Sequence, residues 1–190
     1  MSVFRRLLPV VSAVGLTAAL CTAVPTPAAA ASEAPIVVAT GWSAPGEVAT
    51  ATCPTGTGLV GGGYQVNPYA NGLGQVVDFI QGNTPSSTTP NSWSVKQLMG
   101  QSAAFAMCVE GAPTPTVIHS DWSENGNAVT ATCPDGQNMI GGGYASIPVT
   151  NGVGQNMDEI QTNTPVVGHS NTWAAGMKYG RAMAFVMCVD

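Results

Sequence analysis

Few residues in this chain are equipped for chemistry, and those few recur at a fixed interval. Asp78 and Asp158 lie 80 positions apart, with Glu159 following the second. Paired carboxylates run glycoside hydrolysis, one as acid and the other as base or nucleophile. Here each interval supplies only one shared acid, inside an apolar run. That suits hydrogen bonding to a neighbouring turn, or a weak Ca²⁺ contribution, better than catalysis. His119 and His169 are the only histidines, and Ala39 and Thr89 stand at the corresponding earlier positions. Neither histidine has a Cys, Asp or Glu at metal-ligand spacing. A Ser-His-Asp site is recognised by geometry rather than order, but no Gly-x-Ser-x-Gly elbow occurs. The triplet Gly61-Gly62-Gly63 lacks the Lys and Ser/Thr of a phosphate loop. It reads as a strand bulge or a close backbone approach. No catalytic residue, metal site or cofactor is therefore expected.

The polar and aromatic residues that recur are more informative. Trp42, Tyr64, Asn71, Gln75, Gln81, Asn83 and Trp93 return as Trp122, Tyr144, Asn151, Gln155, Gln161, Asn163 and Trp173. Amides offer paired donors and acceptors, and aromatic faces stack on the apolar faces of sugars. The expected binding residues are Trp42, Tyr64, Gln75, Trp93, Trp122, Tyr144, Gln155 and Trp173. The competing reading makes the tryptophans core and Asn-Gly turn chemistry.

These recurrences belong to one duplication. Val37–Glu110 aligns without gaps on Val117–Asp190, and 33 of 74 positions are identical. Gly111 to Thr116 alternates two prolines with small residues, a short, stiff linker. The expected organisation is a β repeat over 32–110, a linker over 111–116 and a second β repeat over 117–190. The copies form either two small domains or one pseudo-symmetric domain. Val48 to Cys53, Leu59 to Val66, Val76 to Gln81, Trp93 with Val95, and Ala103 to Val109 read as short strands. Turn signals at Cys53-Pro54-x-Gly56, Asn71-Gly72 and Asn83 through Asn91 separate them, which points to an all-β sandwich or barrel. The last run is apolar on both faces and suits a central, doubly covered strand.

Residues 1–31 read as a secretory leader. Arg5-Arg6 precede an apolar run from Leu7 to Leu20 that ends in Ala28-Ala29-Ala30-Ala31. Leu20 is too bulky to precede a lipidated Cys21. Without the leader, the odd count of 5 cysteines becomes Cys53, Cys108, Cys133 and Cys188. Three pairings are possible; the duplication favours Cys53–Cys108 and Cys133–Cys188, which give each copy the same bridge. Only 8% of the chain is charged, against about 25% in ordinary globular proteins. Lys96, Lys178 and Arg181 then face ten acids, which leaves no footprint for nucleic acid. No segment reaches the length of a membrane span.

The module Cys-Pro-x-Gly, Gly-Gly-Gly-Tyr, Asn-Thr-Pro, Trp and a closing apolar-Cys strand resembles small repeat domains in exported proteins of actinomycete-like bacteria. The resemblance covers most of 37–190. It implies secretion and a disulfide-tied β unit, and it carries no activity and no functional residue. The expected function is a secreted, non-catalytic binding or cell-surface protein whose partner is a glycan or cell-envelope polymer. The alternative is an inhibitor of an extracellular hydrolase, with Thr84–Asn91 as the bait loop and Thr164–Asn171 as its diverged twin. A third reading is an enzyme using His119, His169 and Asp158 between the copies.

Overall fold

The structure, a computed structural model, describes residues 34–151 and 155–190; the expected leader lies outside them. Among the described residues there are twelve strands and no helix. In the first copy these are β1 (Ile36–Ala39), β2 (Val48–Thr52), β3 (Thr57–Asn67), β4 (Ile80–Pro85), β5 (Ser92–Gln97) and β6 (Gln101–Glu110). The second copy has β7 (Thr116–His119), β8 (Ala128–Thr132), β9 (Asn138–Ile147), β10 (Ile160–Pro165), β11 (Thr172–Met177) and β12 (Arg181–Val189). β7 thus takes Thr116 from the expected linker.

The doubly apolar runs hold the centres of their sheets. β6 lies between β1 and β3, and β12 lies between β7 and β9. Each has sheet partners on both edges; the inner face of β6 is buried, while Met107 on its outer face is 39% exposed. The second layer of each copy runs β2-β5-β4 and β8-β11-β10. In the first copy Ala49, Ala51, Trp93, Val95, Ala104 and Ala106 fill the space between the layers. In the second, Ala131, Ala175, Met177, Ala182, Ala184 and Val186 do so. Small alanines opposite one large indole let the layers approach to native packing density. The glycine triplet serves this packing: a Cβ on Gly62 would run into the Trp93 ring, and one on Gly142 into Trp173. The β3·β6 register shifts between Leu59 and Gly61, so the triplet follows a bulge.

Disulfides tie the layers together. Cys53 follows β2 and bonds Cys108 in β6; Cys133 follows β8 and bonds Cys188 in β12. Asn91 and Asn171 sit at positive φ in the turns before β5 and β11. The Asn91 amide accepts from Leu59 N at 2.7 Å and donates to Thr57 O at 2.8 Å. It thereby covers the first edge residues of β3, and Asn171 does the same for β9 through Met139 N and Gln137 O.

The fourth strand differs from the sequence expectation. Val76 makes only an isolated bridge with Ala70, and the strand proper runs from Ile80 through Asn83-Thr84-Pro85, residues expected to begin a turn. Asn83 is held in the strand because its Oδ1 accepts the Trp93 indole N–H at 2.7 Å. Pro85 closes the strand, where its missing N–H costs least.

The copies join through this strand. β4 pairs with β9, Gly82 opposite Ala145 and Asn83 opposite Tyr144, giving a continuous sheet β2-β5-β4-β9-β12-β7. Ser146 Oγ donates to Gln81 O across the seam at 3.2 Å. Glu33–Asp190 is accordingly one compact unit. Backbone approaches closely here: a Cβ on Gly143 would meet Asn83 O, and Thr84 Cα at 2.7 Å. Its twin Gly63 has nothing within 4 Å of that position. Gly143→Ala is therefore expected to cost about 1–3 kcal/mol through forced displacement of the seam. Gly63→Ala should change stability by less than about 0.5 kcal/mol. Urea melts of the two variants check the contrast, and equal losses would contradict it.

Candidate binding site

The eight expected binding residues separate into a scattered set and a gathered one. Trp93 is buried, 4% exposed, and belongs to the first core. Trp173 is half-buried against the second core, with its indole N–H donated to Asn163 Oδ1 at 2.8 Å. Trp42 follows β1 and is 48% exposed. Its twin Trp122 follows β7 and is half-buried, with the Arg181 guanidinium 5.9 Å from the ring centroid. Gln101 replaces that arginine in the first copy, so the cation–π cover is missing from Trp42.

Tyr64, Tyr144, Gln75 and Gln155 lie at the junction of the copies. Tyr144 stands on β9 opposite Asn83, 8% exposed, whereas Tyr64 on β3 is 45% exposed. Burial, and secondarily the nearby Tyr64, push the Tyr144 phenol up to about 12. The folded protein thus keeps this proton where the unfolded chain, titrating near 10, has already lost it. The stability contributed is complete below pH 10 and is lost as pH rises from 10 to 12, at about 1.4 kcal/mol per pH unit. Tyr144→Phe should flatten that alkaline slope, as read from unfolding free energies at pH 9, 10 and 11. Identical slopes in both proteins would contradict the assignment.

The glutamines are held by local geometry. Asn71 Oδ1 accepts from Leu73 N and Gln75 N, each at 3.0 Å, and its Nδ2 donates to Gln75 Oε1 at 3.1 Å. In the second copy Gln155 N donates to Asn151 Oδ1 at 2.9 Å, and Asn151 Nδ2 donates to Gln155 Oε1 at 2.8 Å. Side-chain bonding of this kind fixes a turn without ladder partners. It also occupies each Oε1, leaving the two Nε2 groups as the donors for a ligand.

Both glutamines line the same two adjoining hollows. One, about 310 Å³, is completed by Val76, Val77, Asp78, Asn156 and Met157. The other, about 410 Å³, is completed by Tyr69, Asn71, Leu73, Val77 and Met99. Together they make a trough with amide donors and apolar walls; Leu73 is 83% exposed and Met157 is 55% exposed. Sequence comparison between the copies passes over Tyr69, Leu73, Val76 and Met157, because their twins are Val149, Val153, Asn156 and Val77. Their signal is apolar character in a turn-rich segment.

The carboxylates serve the backbone. Asp78 accepts from Tyr69 N, Phe79 N and Met99 N at 2.8–3.0 Å. Asp158 accepts from Val149, Glu159, Tyr179 and Gly180 N–H groups. This is the neighbouring-turn role, and it leaves little lone-pair capacity for acid–base work. His119 lies on edge strand β7, its ring 5.6 Å from that of Phe185, and His169 lies in the β10–β11 turn. Among the described residues no cluster of three His, Cys, Asp or Glu could hold a metal ion. In the proposed bait loop Thr84, Pro85 and Ser86 are buried, and only Ser87 to Pro90 are exposed. No described helix is long and apolar enough to cross a membrane. Comparison of the chain with family models, curated proteins and solved structures finds no match.

Proposed function

We propose that this is a secreted, non-catalytic protein that binds a neutral carbohydrate of the cell envelope in the trough between Gln75 and Gln155. The observation that carries the reading is the pairing of these two glutamines, each locked by an asparagine, between exposed apolar walls. Amide donors suit sugar hydroxyls, and Tyr69, Leu73 and Met157 suit the C–H faces of a pyranose. Among the described residues Asp78 is the one charged group lining the trough and no cation lines it, which favours a neutral polymer over an anionic one. Secretion is supported by two disulfides, which persist in oxidising compartments.

Binding is tested on an array of soluble glycans and by co-sedimentation with purified cell wall. The double variant Gln75→Ala, Gln155→Ala should weaken binding at least about tenfold, one to two lost hydrogen bonds, while the β fold read by circular dichroism is retained. Full binding by the double variant, or none by the wild type, would overturn the proposal. The observation favouring a hydrolase inhibitor is Val167, 98% exposed in the β10–β11 turn. Stoichiometric loss of activity in a panel of secreted proteases would support that second reading.

A further inference from the structure

The seam between the copies is paired on one layer and open on the other. β9 receives β4, but its twin β3 and the β4 twin β10 are both end strands of their three-stranded sheets. Val66 of β3 and Ile160 of β10 line one cleft of about 380 Å³, together with Phe79, Ile80 and Tyr144. The walls are apolar, and Asp78, Asp158 and Glu159 also line it. Strand edges normally carry protection, because every second N–H and C=O is otherwise unpaired. This chain protects one part of β3 and not the rest. The Asn91 side chain covers Thr57 and Leu59, while Gly61 to Asn67 carries no lysine or proline and has no strand beyond it.

Gly63 is the second observation. Its φ is not positive and none of the described residues lies within 4 Å of where its Cβ would stand, so neither backbone conformation nor packing among them accounts for a glycine. A glycine inside a strand weakens it, and its usual structural reason is the close approach of another backbone. At the twin Gly143 that backbone is β4, at Asn83 and Thr84.

We propose that the open edge of β3, Gly61 to Asn67, is a docking site for an extended peptide segment of a partner protein. The segment adds antiparallel to β3 as β4 adds to β9, and it lays alternate apolar side chains into the cleft beside Tyr64, Val66 and Ile160. This is strand addition, in which main-chain hydrogen bonds give affinity and the alternate pockets give selectivity. The segment is neutral, because the cleft walls are apolar and its acids are already matched: Asp78 and Asp158 accept from backbone N–H groups, and Glu159 pairs with Lys178 at 3.3 Å. The cleft shares Asp78 with the carbohydrate trough, but the docking edge Gly61 to Asn67 lines neither hollow of that trough, and the proposal stands or falls independently of it.

The probe is a synthetic peptide with the sequence Phe79–Pro85, acetylated and amidated, titrated into the folded protein at up to about 1 mM, a concentration that detects even weak association. Amide resonances of β3 between Gly61 and Asn67 should shift and gain exchange protection. Of two peptides N-methylated at odd or at even residues, one should lose binding and the other keep it, because only alternate N–H groups face β3. Gly63→Ala should weaken binding at least about tenfold without altering the fold, since its Cβ touches only the incoming strand. The proposal is overturned by the absence of β3 shifts, by shifts confined to the Gln75 and Gln155 loops, by equal behaviour of the two methylated peptides, or by undiminished binding to Gly63→Ala. Should Gly63→Ala fail to fold, the methylated pair still decides.

Discussion

Replacing Cys53 and Cys108 together by alanine is expected to lower unfolding stability by about 4 kcal/mol. The bridge closes a loop of 55 residues, and the chain-entropy treatment assigns about that much to a loop of this size. The loss falls on a core with little surplus. Cys108 is fully buried, and the side chains around it are mostly alanine: Ala49, Ala51, Ala104 and Ala106. An alanine buries little apolar area, so sheet-to-sheet cohesion here depends on the bridge, the Trp93 ring, Leu59 and Val95. A drop of that size corresponds to about 8–16 °C in melting temperature for a unit this long. The twin variant Cys133→Ala, Cys188→Ala should lose a similar amount. Either variant should still unfold in a single transition, because the β4·β9 pairing runs one sheet through both copies. Thermal melts followed by near-ultraviolet circular dichroism read both quantities. A change under about 1 kcal/mol would show that the bridges constrain nothing the unfolded chain is free to explore.

The sequence expectation of two disulfide-tied β copies rests on features that survive duplication, and these are the features of each copy's interior. The Trp–Asn pairs ten residues apart, 83 with 93 and 163 with 173, are one example: both members recur because each indole N–H donates to the asparagine Oδ1 of the neighbouring strand. The same pairs could have placed β4 correctly. Asn83 and Pro85 look like turn residues when read locally, and the tertiary partner of Asn83 overrides that preference. What duplication cannot reveal is how the copies differ. Gly82, Ala145 and Ser146 at the paired seam become Thr162, Gln65 and Val66 at the open one. An edge that is filled in one place and free in the other leaves no mark in the shared residues, and the trough walls vary for the same reason. Trp93 and Trp173 entered the binding set because they recur; Trp93 is part of the first core, and Trp173 packs half-buried against the second.

Replacing Asp158 by alanine is expected to cost about 3–5 kcal/mol, the scale of removing one partner from a buried, charge-assisted network. The carboxylate is 6% exposed and accepts from four backbone N–H groups on three segments: Val149 early in the β9–β10 connection, Glu159 at its end, and Tyr179 and Gly180 in the β11–β12 turn. Removing it strands donors that no water can reach at equal strength. The glycine at 180 is part of the same device, because a Cβ there would run into Asp158 Oδ2 and Ile147 O. Gly180→Ala alone should therefore destabilise by forcing the carboxylate off its donors. Added to Asp158→Ala it should cost less but still destabilise, since the clash with the carboxylate is gone while that with the Ile147 carbonyl remains; a double-mutant cycle reads the coupling. Asp158→Asn should lose less than alanine, because the amide keeps one acceptor oxygen. Asp78 is half-buried and accepts from three donors, so Asp78→Ala should cost less than its twin. Additive losses for Asp158→Ala and Gly180→Ala would separate the glycine from the carboxylate. An Asp158→Ala variant of wild-type stability would remove the structural role and return this acid to consideration as a chemical one.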